Sequence, residues 1–147
     1  MVSGKDQGTG RGKNMRYRKH NANGKVLCIQ ETFDGEVICS CRISVNEQTH
    51  SWSITSWHTR DGFKNSGRGK ATMREALQYC MRLYGMPESV CYIWNGANAY
   101  VLEWIEKHFN AACTCPLAVQ KNQADDDWNS HIYNLDRAMV LQYFKLV

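Results

Sequence analysis

The sequence lacks any apolar run close to the roughly 20 residues that a membrane-spanning helix needs, so we expect no contact with a membrane. Its basic N-terminus is not followed by the apolar segment of a secretory signal, which favours a cytoplasmic protein. Prolines are scarce, only two in 147 residues, and 43% of the residues are hydrophobic. This composition is typical of one ordinary globular domain with its own core.

Disulfide and zinc signatures are also missing. The seven cysteines are an odd number, and five of them lie inside hydrophobic patterns, where a free cysteine behaves as a small apolar side chain. The closely spaced pairs at positions 39/41 and 113/115 lack the two-residue spacer of common zinc sites. We therefore predict no metal.

Positive charge is concentrated near the N-terminus. Residues 1–25 hold seven lysines and arginines against one aspartate, a net charge of +6, whereas the whole chain carries +4 and residues 26–147 therefore −2. This segment has few large apolar groups, which predicts a flexible tail over residues 1–25, with 15–17 as a candidate short edge strand. The tail either keeps the protein dispersed or tethers it to an acidic partner such as nucleic acid.

From residue 26 the pattern becomes that of a meandering sheet. Residues 26–33 and 36–45 flank a strong hairpin turn, Asp34-Gly35, and a third strand runs from about 50 to 58. In that strand Trp52 and Ile54 share one face, but the next large apolar residue, Trp57, breaks the alternation. A slip of one residue inside a strand predicts a β-bulge.

Helical and strand patterns then alternate. Residues 69–84 and 97–109 have the period of amphipathic helices, and 89–94 form a short buried strand between them. Residues 113–119 and 131–143 are interpreted as a final hairpin with a C-terminal extension. The resulting order, β-β-β-α-β-α-β-β, predicts an α/β fold with a mixed sheet and helices packed on it, in one domain over residues 26–147.

The loop at residues 66–71, Ser-Gly-Arg-Gly-Lys-Ala, lies between a strand and a helix. Small residues there let backbone N–H groups approach an anion, and the helix N-terminus adds the positive end of its dipole. The loop has neither the Gly-Lys-Ser/Thr ending of a Walker A loop nor three glycines in a dinucleotide fingerprint. It predicts a site for the phosphates of a nucleotide-containing cofactor.

This loop and the helix that follows, residues 67–77, resemble the pyrophosphate loop and helix of the GNAT superfamily of acetyl-CoA-dependent acetyltransferases. The similarity extends over about residues 26–136, including the bulged strand before the loop and the strand–helix unit after it. It implies a mostly antiparallel sheet, acetyl-CoA as cofactor, and an amine acceptor, most simply on a protein. The cofactor contacts that the resemblance implies are Ser56, Trp57, His58, Ser66, Gly67, Arg68, Gly69, Lys70, Ala71 and Asn98.

Three departures from the family pattern bear on activity. Ser66 replaces the usual glutamine or arginine, and Trp104 and Ile105 occupy the stretch where the family often carries a tyrosine acid. The strand and two helices that usually precede the second strand are shortened or absent, which leaves the acceptor side open.

Few side chains are available for proton transfer. Backbone N–H groups near residues 56–58 could polarise a thioester carbonyl, as the resemblance implies. The third strand has no carboxylate, so His58 is the candidate general base, with His50 as the other titrating group. Tyr92 and Tyr100 are candidate acids, although aromatic residues at such positions usually pack in the core.

Two functions follow from these features. The first is an N-acetyltransferase that acts on an amine of a protein or small molecule. The alternative is a catalytically silent binding or structural protein of the same fold, such as a small virus-encoded interaction protein. A nucleic-acid-binding module, supported only by the basic tail, is a third and weaker interpretation.

Overall fold

In the described part of the chain, seven strands form a single sheet that is accompanied by three helices. The computed structural model describes residues 15–64, 66–94, 99–113 and 131–147. The strands are β1 (Met15–Ala22), β2 (Lys25–Thr32), β3 (Val37–Asn46), β4 (Ser51–Thr59), β5 (Ser89–Trp94), β6 (Ala112–Cys113) and β7 (His131–Leu135). The helices are α1 (Arg68–Tyr84), α2 (Ala99–Phe109) and α3 (Arg137–Tyr143). Neighbouring strands in the order β1-β2-β3-β4-β5-β7-β6 are antiparallel, except for the parallel pair β4 and β5. The predicted mixed, mostly antiparallel α/β fold is confirmed.

Strand β1 corrects the predicted boundary of the domain. Residues 15–22 pair with β2 along their whole length, and Asn23 and Gly24, both at positive φ, form the two-residue turn between the strands. A Cβ on Gly24 would lie 2.7 Å from the backbone oxygen of Val45, so this position also needs glycine for space. The candidate edge strand at residues 15–17 is therefore confirmed and extends to Ala22, the flexible tail is wrong for residues 18–25, and residues 1–14 lie outside the described part of the chain.

Side chains of β1 also hold it against helix α1. Lys19 forms a salt bridge of 2.7 Å with Glu75, and the hydroxyl of Tyr84 donates a hydrogen bond to the side-chain oxygen of Asn21 at 2.8 Å. The family resemblance predicts two helices between the first and second strands. In this chain a two-residue turn joins β1 to β2, so no helix lies between them. The fold thus keeps an N-terminal strand and dispenses with its helical cover.

The predicted β-bulge is present in β4, two residues earlier than Trp57. Arg42 of β3 pairs with Ser56 and Ile43 pairs with Ile54, which leaves Thr55 as the extra residue. The insertion keeps Trp57 on the same face of the sheet as Ile54, toward the core. Strand β5 pairs with β4 only as far as Ile54, so the two strands part beyond the bulge.

All three helices pack on one face of the sheet. The buried cluster on this face combines residues of the sheet with residues of each helix: Val26, Cys28, Cys41, Trp52 and Ile54 with Met73, Leu77 and Cys80 of α1, Ile105 and Phe109 of α2, and Val140 of α3. Four of the five cysteines predicted to act as apolar side chains, Cys28, Cys39, Cys41 and Cys80, are buried free thiols, whereas the fifth, Cys91, is partly exposed. Burial raises the pKa of Cys28 and Cys80 to about 12, which keeps both thiols neutral and apolar.

The C-terminal segment differs from the predicted hairpin. Strand β7 ends at Leu135, and Asp136 then caps α3 by accepting a hydrogen bond from the backbone N–H of Met139 at 3.1 Å. Arg74 of α1 donates to the backbone oxygen of Phe144 at 2.8 Å, which fixes the end of this helix. The predicted partner strand is described only at residues 112–113, and the remainder of 113–119 lies outside the described residues. None of the described helices combines the length and apolar character needed to cross a bilayer.

The carboxylate of Glu31 lies beneath two arginines of β1. Glu31 is only 2% exposed, and its carboxylate accepts hydrogen bonds from Arg16 at 2.9 Å and from Arg18 at 3.2 Å. Hydrogen bonds from Arg18, and then from Arg16, hold the pKa of Glu31 below its ordinary value. The ionised carboxylate therefore stabilises the folded state.

We predict that Glu31→Gln destabilises the protein near neutral pH and flattens its acid sensitivity. The contribution of Glu31 is complete above the pKa of the unfolded chain, about 4.3, and is lost as the pH falls through the lower folded-state pKa. Urea unfolding between about pH 7 and about pH 3 measures the difference. Glu106→Gln, at an exposed position of α2, is the matched control and should follow the wild type. Parallel acid curves for wild type and Glu31→Gln would contradict this role.

Candidate functional site

A cavity of about 510 Å³ lies where β4 separates from β5. Its wall is built from the end of β4, the loop to α1, the first turn of α1 and the facing surfaces of α2 and α3. The lining residues are Trp57, His58, Thr59, Phe63, Lys64, Gly67, Gly69, Lys70, Val101, Trp104 and Tyr143. The bulge at Thr55 thus opens the gap, and the three helices close it on one side.

Helix α1 points its N-terminus into this cavity. Its N-cap, Gly67, has φ +82° and provides no side-chain cap, and the first helical backbone bond runs from the N–H of Ala71 to the oxygen of Gly67. The N–H groups before Ala71 belong to the set that a helix cannot satisfy internally. The first turn holds Arg68 and Lys70 and no acid, an arrangement that the helix dipole disfavours unless an anion is nearby. Among the described residues, neither of these cations forms a salt bridge.

Gly69 fixes the distance between α1 and β4. A Cβ at this position would lie 2.8 Å from the Thr59 hydroxyl oxygen and 3.4 Å from the indole nitrogen of Trp57. That indole donates a hydrogen bond of 2.9 Å to the backbone oxygen of Gly69. The sequence predicts that Gly69 lets the backbone approach a phosphate closely. The structure shows that its lack of a side chain also lets α1 pack against β4.

Half of the predicted cofactor contacts line the cavity. Trp57, His58, Gly67, Gly69 and Lys70 do so. Ser56, Ser66, Arg68 and Ala71 are their chain neighbours but are not among the lining residues, and Asn98 lies outside the described part of the chain.

Arg68 and Ser66 have other partners. The guanidinium of Arg68 donates to the side-chain oxygen of Gln30 at 3.3 Å and lies 5.5 Å from the ring centroid of Phe63. The hydroxyl of Ser66 donates to the backbone oxygen of Phe63. These contacts shape the loop, so Lys70 is left as the predicted cation that reaches the cavity.

Aromatic side chains form the floor of the cavity. The rings of Trp57 and Trp104 meet edge to face with centroids 5.2 Å apart, and Trp104 meets Tyr143 in the same way at 5.3 Å. The ammonium of Lys70 lies 4.2 Å from the centroid of the Tyr143 ring. Lys70 therefore lies at the cavity wall without a carboxylate partner among the described residues.

His58 reaches the cavity from the opposite face of the sheet. It pairs with Ser40 of β3, whereas Trp57 and Thr59 pair with Cys41 and Cys39 on the helix side. Its side chain is exposed. Residues whose side chains belong to the two opposite faces of β4 therefore border one cavity.

The alternative titrating groups lie elsewhere. His50 is in the turn at the other end of β4. Tyr92 is 6% exposed within the core cluster, and burial raises its pKa to about 12. The side chain of Tyr100 lies outside what the structure describes. Of the candidates named from the sequence, only His58 is placed at the cavity.

Sequence reasoning missed six lining residues: Thr59, Phe63, Lys64, Val101, Trp104 and Tyr143. Tyr143 belongs to α3, a helix that the hairpin interpretation overlooked, although Asp136 followed by good helix formers was a usable N-cap signal. The helical pattern had placed Val101 and Trp104 on the inner face of α2 without a ligand role. Phe63 and Lys64 lie in a loop, where no periodic pattern indicates direction.

Comparison with known proteins identifies the fold. No protein-family model and no curated protein matches the sequence. Solved structures do match: the Ard1 protein of Thermoplasma volcanium is 18% identical, with a TM-score of 0.53 over 74% of this chain and 67% of that one. A spermidine N-acetyltransferase of Vibrio cholerae is 12% identical, with a TM-score of 0.57 over 84% and 72% of the two chains. A GNAT family acetyltransferase of Elizabethkingia anophelis with acetyl-CoA bound is 10% identical, with a TM-score of 0.55 over 82% and 96%. The chain therefore has the GNAT acetyltransferase fold, as its loop and bulged strand predicted.

We predict that Gly69→Ala destabilises the protein by about 1–3 kcal/mol, because the new methyl group meets the Thr59 hydroxyl. In a Thr59→Ala background the obstruction is gone, and the same change should be neutral or slightly stabilising, since alanine favours helix. Urea unfolding of the wild type, the two single variants and the double variant measures the coupling free energy between positions 59 and 69. An equal cost of Gly69→Ala in both backgrounds would show that Thr59 does not set this distance.

Proposed function

We propose that this protein is an N-acetyltransferase that transfers an acetyl group from acetyl-CoA to an amine of a protein or small molecule. The observation that carries the proposal is the helix N-terminus without a side-chain cap, opening into a cavity at the end of β4 beyond its last pair with β5. Such a helix end binds phosphate groups, and the cavity beyond it is large enough for a narrow ligand arm. The acetyl-CoA bound to the Elizabethkingia anophelis neighbour supports the same cofactor.

The residues present fit acetyl-CoA. Backbone N–H groups of the first turn of α1, with Lys70 and Lys64, would hold the phosphates. Trp57, Trp104 and Val101 would flank the pantetheine arm, and Asn98 remains a contact predicted from the family resemblance alone. The bound donor supplies an acetyl thioester, whose carbonyl carbon is the electrophile.

The free edge of β4 supports polarisation of that carbonyl. From Thr55 onward β5 no longer pairs with β4, so alternate backbone N–H groups of residues 56–58 face the gap. N–H donors that belong to a sheet already point in a fixed direction before the reaction, so reorienting them costs no free energy. The N–H of Arg60 donates to the oxygen of Ile38 in β3, so strand alternation turns the N–H groups of Ser56 and His58 toward β3 and leaves that of Trp57 to act in this way.

His58 and Tyr143 are the proposed proton carriers. The neutral amine attacks the carbonyl carbon; a C–N bond forms, the C–S bond breaks, and the products are an amide and the free thiol of CoA. His58 accepts the proton that the amine loses, directly or through one water. The phenol of Tyr143 donates a proton to the departing sulfur, in place of the tyrosine that the family often carries late in the helix corresponding to α2.

A catalytically silent binding protein is the second candidate. The feature that favours it is the absence of a carboxylate from the described lining of the cavity. Direct attack by an amine that is already neutral needs few side chains, which is why we prefer the enzyme.

We predict that CoA and acetyl-CoA raise the melting temperature by preferential binding to the folded state, and that Gly67→Asp abolishes this shift. The aspartate would place a carboxylate at the helix N-terminus, where the phosphates belong. Gly67→Asn is the matched control: it shares the strain at φ +82° and the open space around Cβ, but carries no charge. The Gly67→Asn variant should keep a shift in melting temperature, and its affinity for acetyl-CoA should be at least about tenfold higher than that of Gly67→Asp. Equal shifts in the two variants would locate the phosphates elsewhere.

We predict that His58→Ala and Tyr143→Phe each lower turnover about 100-fold while leaving the thermal shift with acetyl-CoA nearly intact. Thiol release measured over a panel of peptide and polyamine acceptors provides the assay.

His50→Ala is the control histidine and should behave as the wild type. If His58→Ala loses both turnover and acetyl-CoA binding, His58 shapes the cavity. If His58→Ala keeps the wild-type turnover, His58 is not the general base. Clear CoA binding with no transfer by the wild type to any amine would favour the silent protein.

A further inference from the structure

The face of β1–β4 that is turned away from the helices leads directly to the cavity, and we call it the outer face. The strand registers align Arg18 of β1, Ile29 of β2, Ser40 of β3 and His58 of β4 in one row across it. Neighbouring strands lie about 4.8 Å apart, so this row spans about 14 Å. Any acceptor that approaches His58 from this side passes over the row.

This outer face is cationic. Among the residues of strands β1–β4 it carries Arg16, Arg18, Lys25 and Arg42 against Glu31, the only acid in these four strands, a net charge of +3. Glu31 is shared by Arg16 and Arg18, whose side chains remain 49% and 54% exposed. One carboxylate cannot neutralise two guanidiniums, so an uncompensated positive charge stays at the surface.

Among the cations of strands β1–β4 on the outer face, Arg42 is the one that the register places nearest to the candidate base. It pairs with Ser56, two residues before His58 on the adjacent strand, which places its backbone about 8 Å from that of His58. Its side chain is exposed and forms no salt bridge within the described part of the chain. A small polycation such as spermidine, the substrate named for the Vibrio cholerae neighbour, would be repelled here.

We propose, on the basis of the proposed function, that the acceptor is the N-terminal amine of a peptide with acidic side chains at about its third to fifth residues. An extended chain advances about 3.4 Å per residue, so an amine at His58 puts these residues over Arg42 and Arg18. An α-amine has an ordinary pKa near 7.7–8.0 against about 10.4 for lysine, so it is neutral more often and suits a site without a carboxylate base.

A peptide fits the outer face better than a nucleic acid does. The four cations alternate with aliphatic and serine side chains such as Leu27, Ile29 and Ser40. The aromatic residues of strands β1–β4, Tyr17, Trp52 and Trp57, belong to the helix side, and beside this face the single exposed ring of Phe33, just after β2, lies 5.7 Å from the guanidinium of Arg16. Single-stranded nucleic acid sites rely on such rings to stack bases.

Peptides of about eight residues with a free N-terminal amine, differing only in Glu, Gln or Lys at residues 3–5, test the proposal. In low salt we expect kcat/KM for the Glu peptide to exceed that for the Gln peptide about tenfold and that for the Lys peptide about 100-fold. The preference should fade at about 0.5 M salt, where surface charges are screened. Arg42→Glu should reverse the preference, whereas Arg82→Glu, the same charge change on an exposed position of α1, should preserve it.

Binding of a C-terminally labelled Glu peptide to the same proteins separates this inference from the proposed function. Binding that Arg42→Glu abolishes, without transfer to any peptide, would overturn the enzyme and support the peptide surface. Equal transfer to the three peptides, or absence of both binding and transfer, would overturn the inference. Stronger inhibition by a single-stranded oligonucleotide than by the Glu peptide would overturn it in favour of nucleic acid.

Discussion

The extra residue in β4 is the constraint on which the rest of the site depends. Without Thr55 the strand would continue alongside β5, and the sheet would close where the cavity now lies. With it, Trp57 and Thr59 turn toward the helices, where Trp57 bonds to Gly69 and Thr59 fills the space that a side chain at Gly69 would occupy. One bulge therefore opens the sheet and also anchors the helix whose N-terminus points into the opening.

The parts of the fold that could be predicted are those in which local pattern and tertiary environment agree. Strand β5 was placed at its observed bounds and α1 within one residue, because their apolar periods match the faces they bury. Strand β1 alternates mostly polar side chains and has little period of its own, so its existence depends on pairing with β2. Helix α3, only seven residues long, depends on its cap and on the bond from Arg74 more than on amphipathic pattern.

The same division applies to the site. The glycines and Lys70 could be predicted from the sequence because a loop that leads into a helix N-terminus brings backbone N–H groups and nearby cations to one place. Tyr143 and Phe63 could not, since they reach the cavity from segments whose direction is set by packing between distant parts of the chain. Arg68 shows the converse: its charge and position fitted a phosphate ligand, but Gln30 and the Phe63 ring hold its guanidinium instead.

The corrected N-terminal boundary changes the meaning of the basic charge. Arg16 and Arg18 were counted in a flexible tail, which suggested a non-specific tether. In β1 they are held at a defined register from His58, on a sheet face where no helix of the described residues packs. Lys70 and the N-terminus of α1 place a second region of positive potential on the other side of the same gap. An anionic donor and an anionic acceptor could then approach from opposite faces, each attracted to its own side, and meet within the sheet.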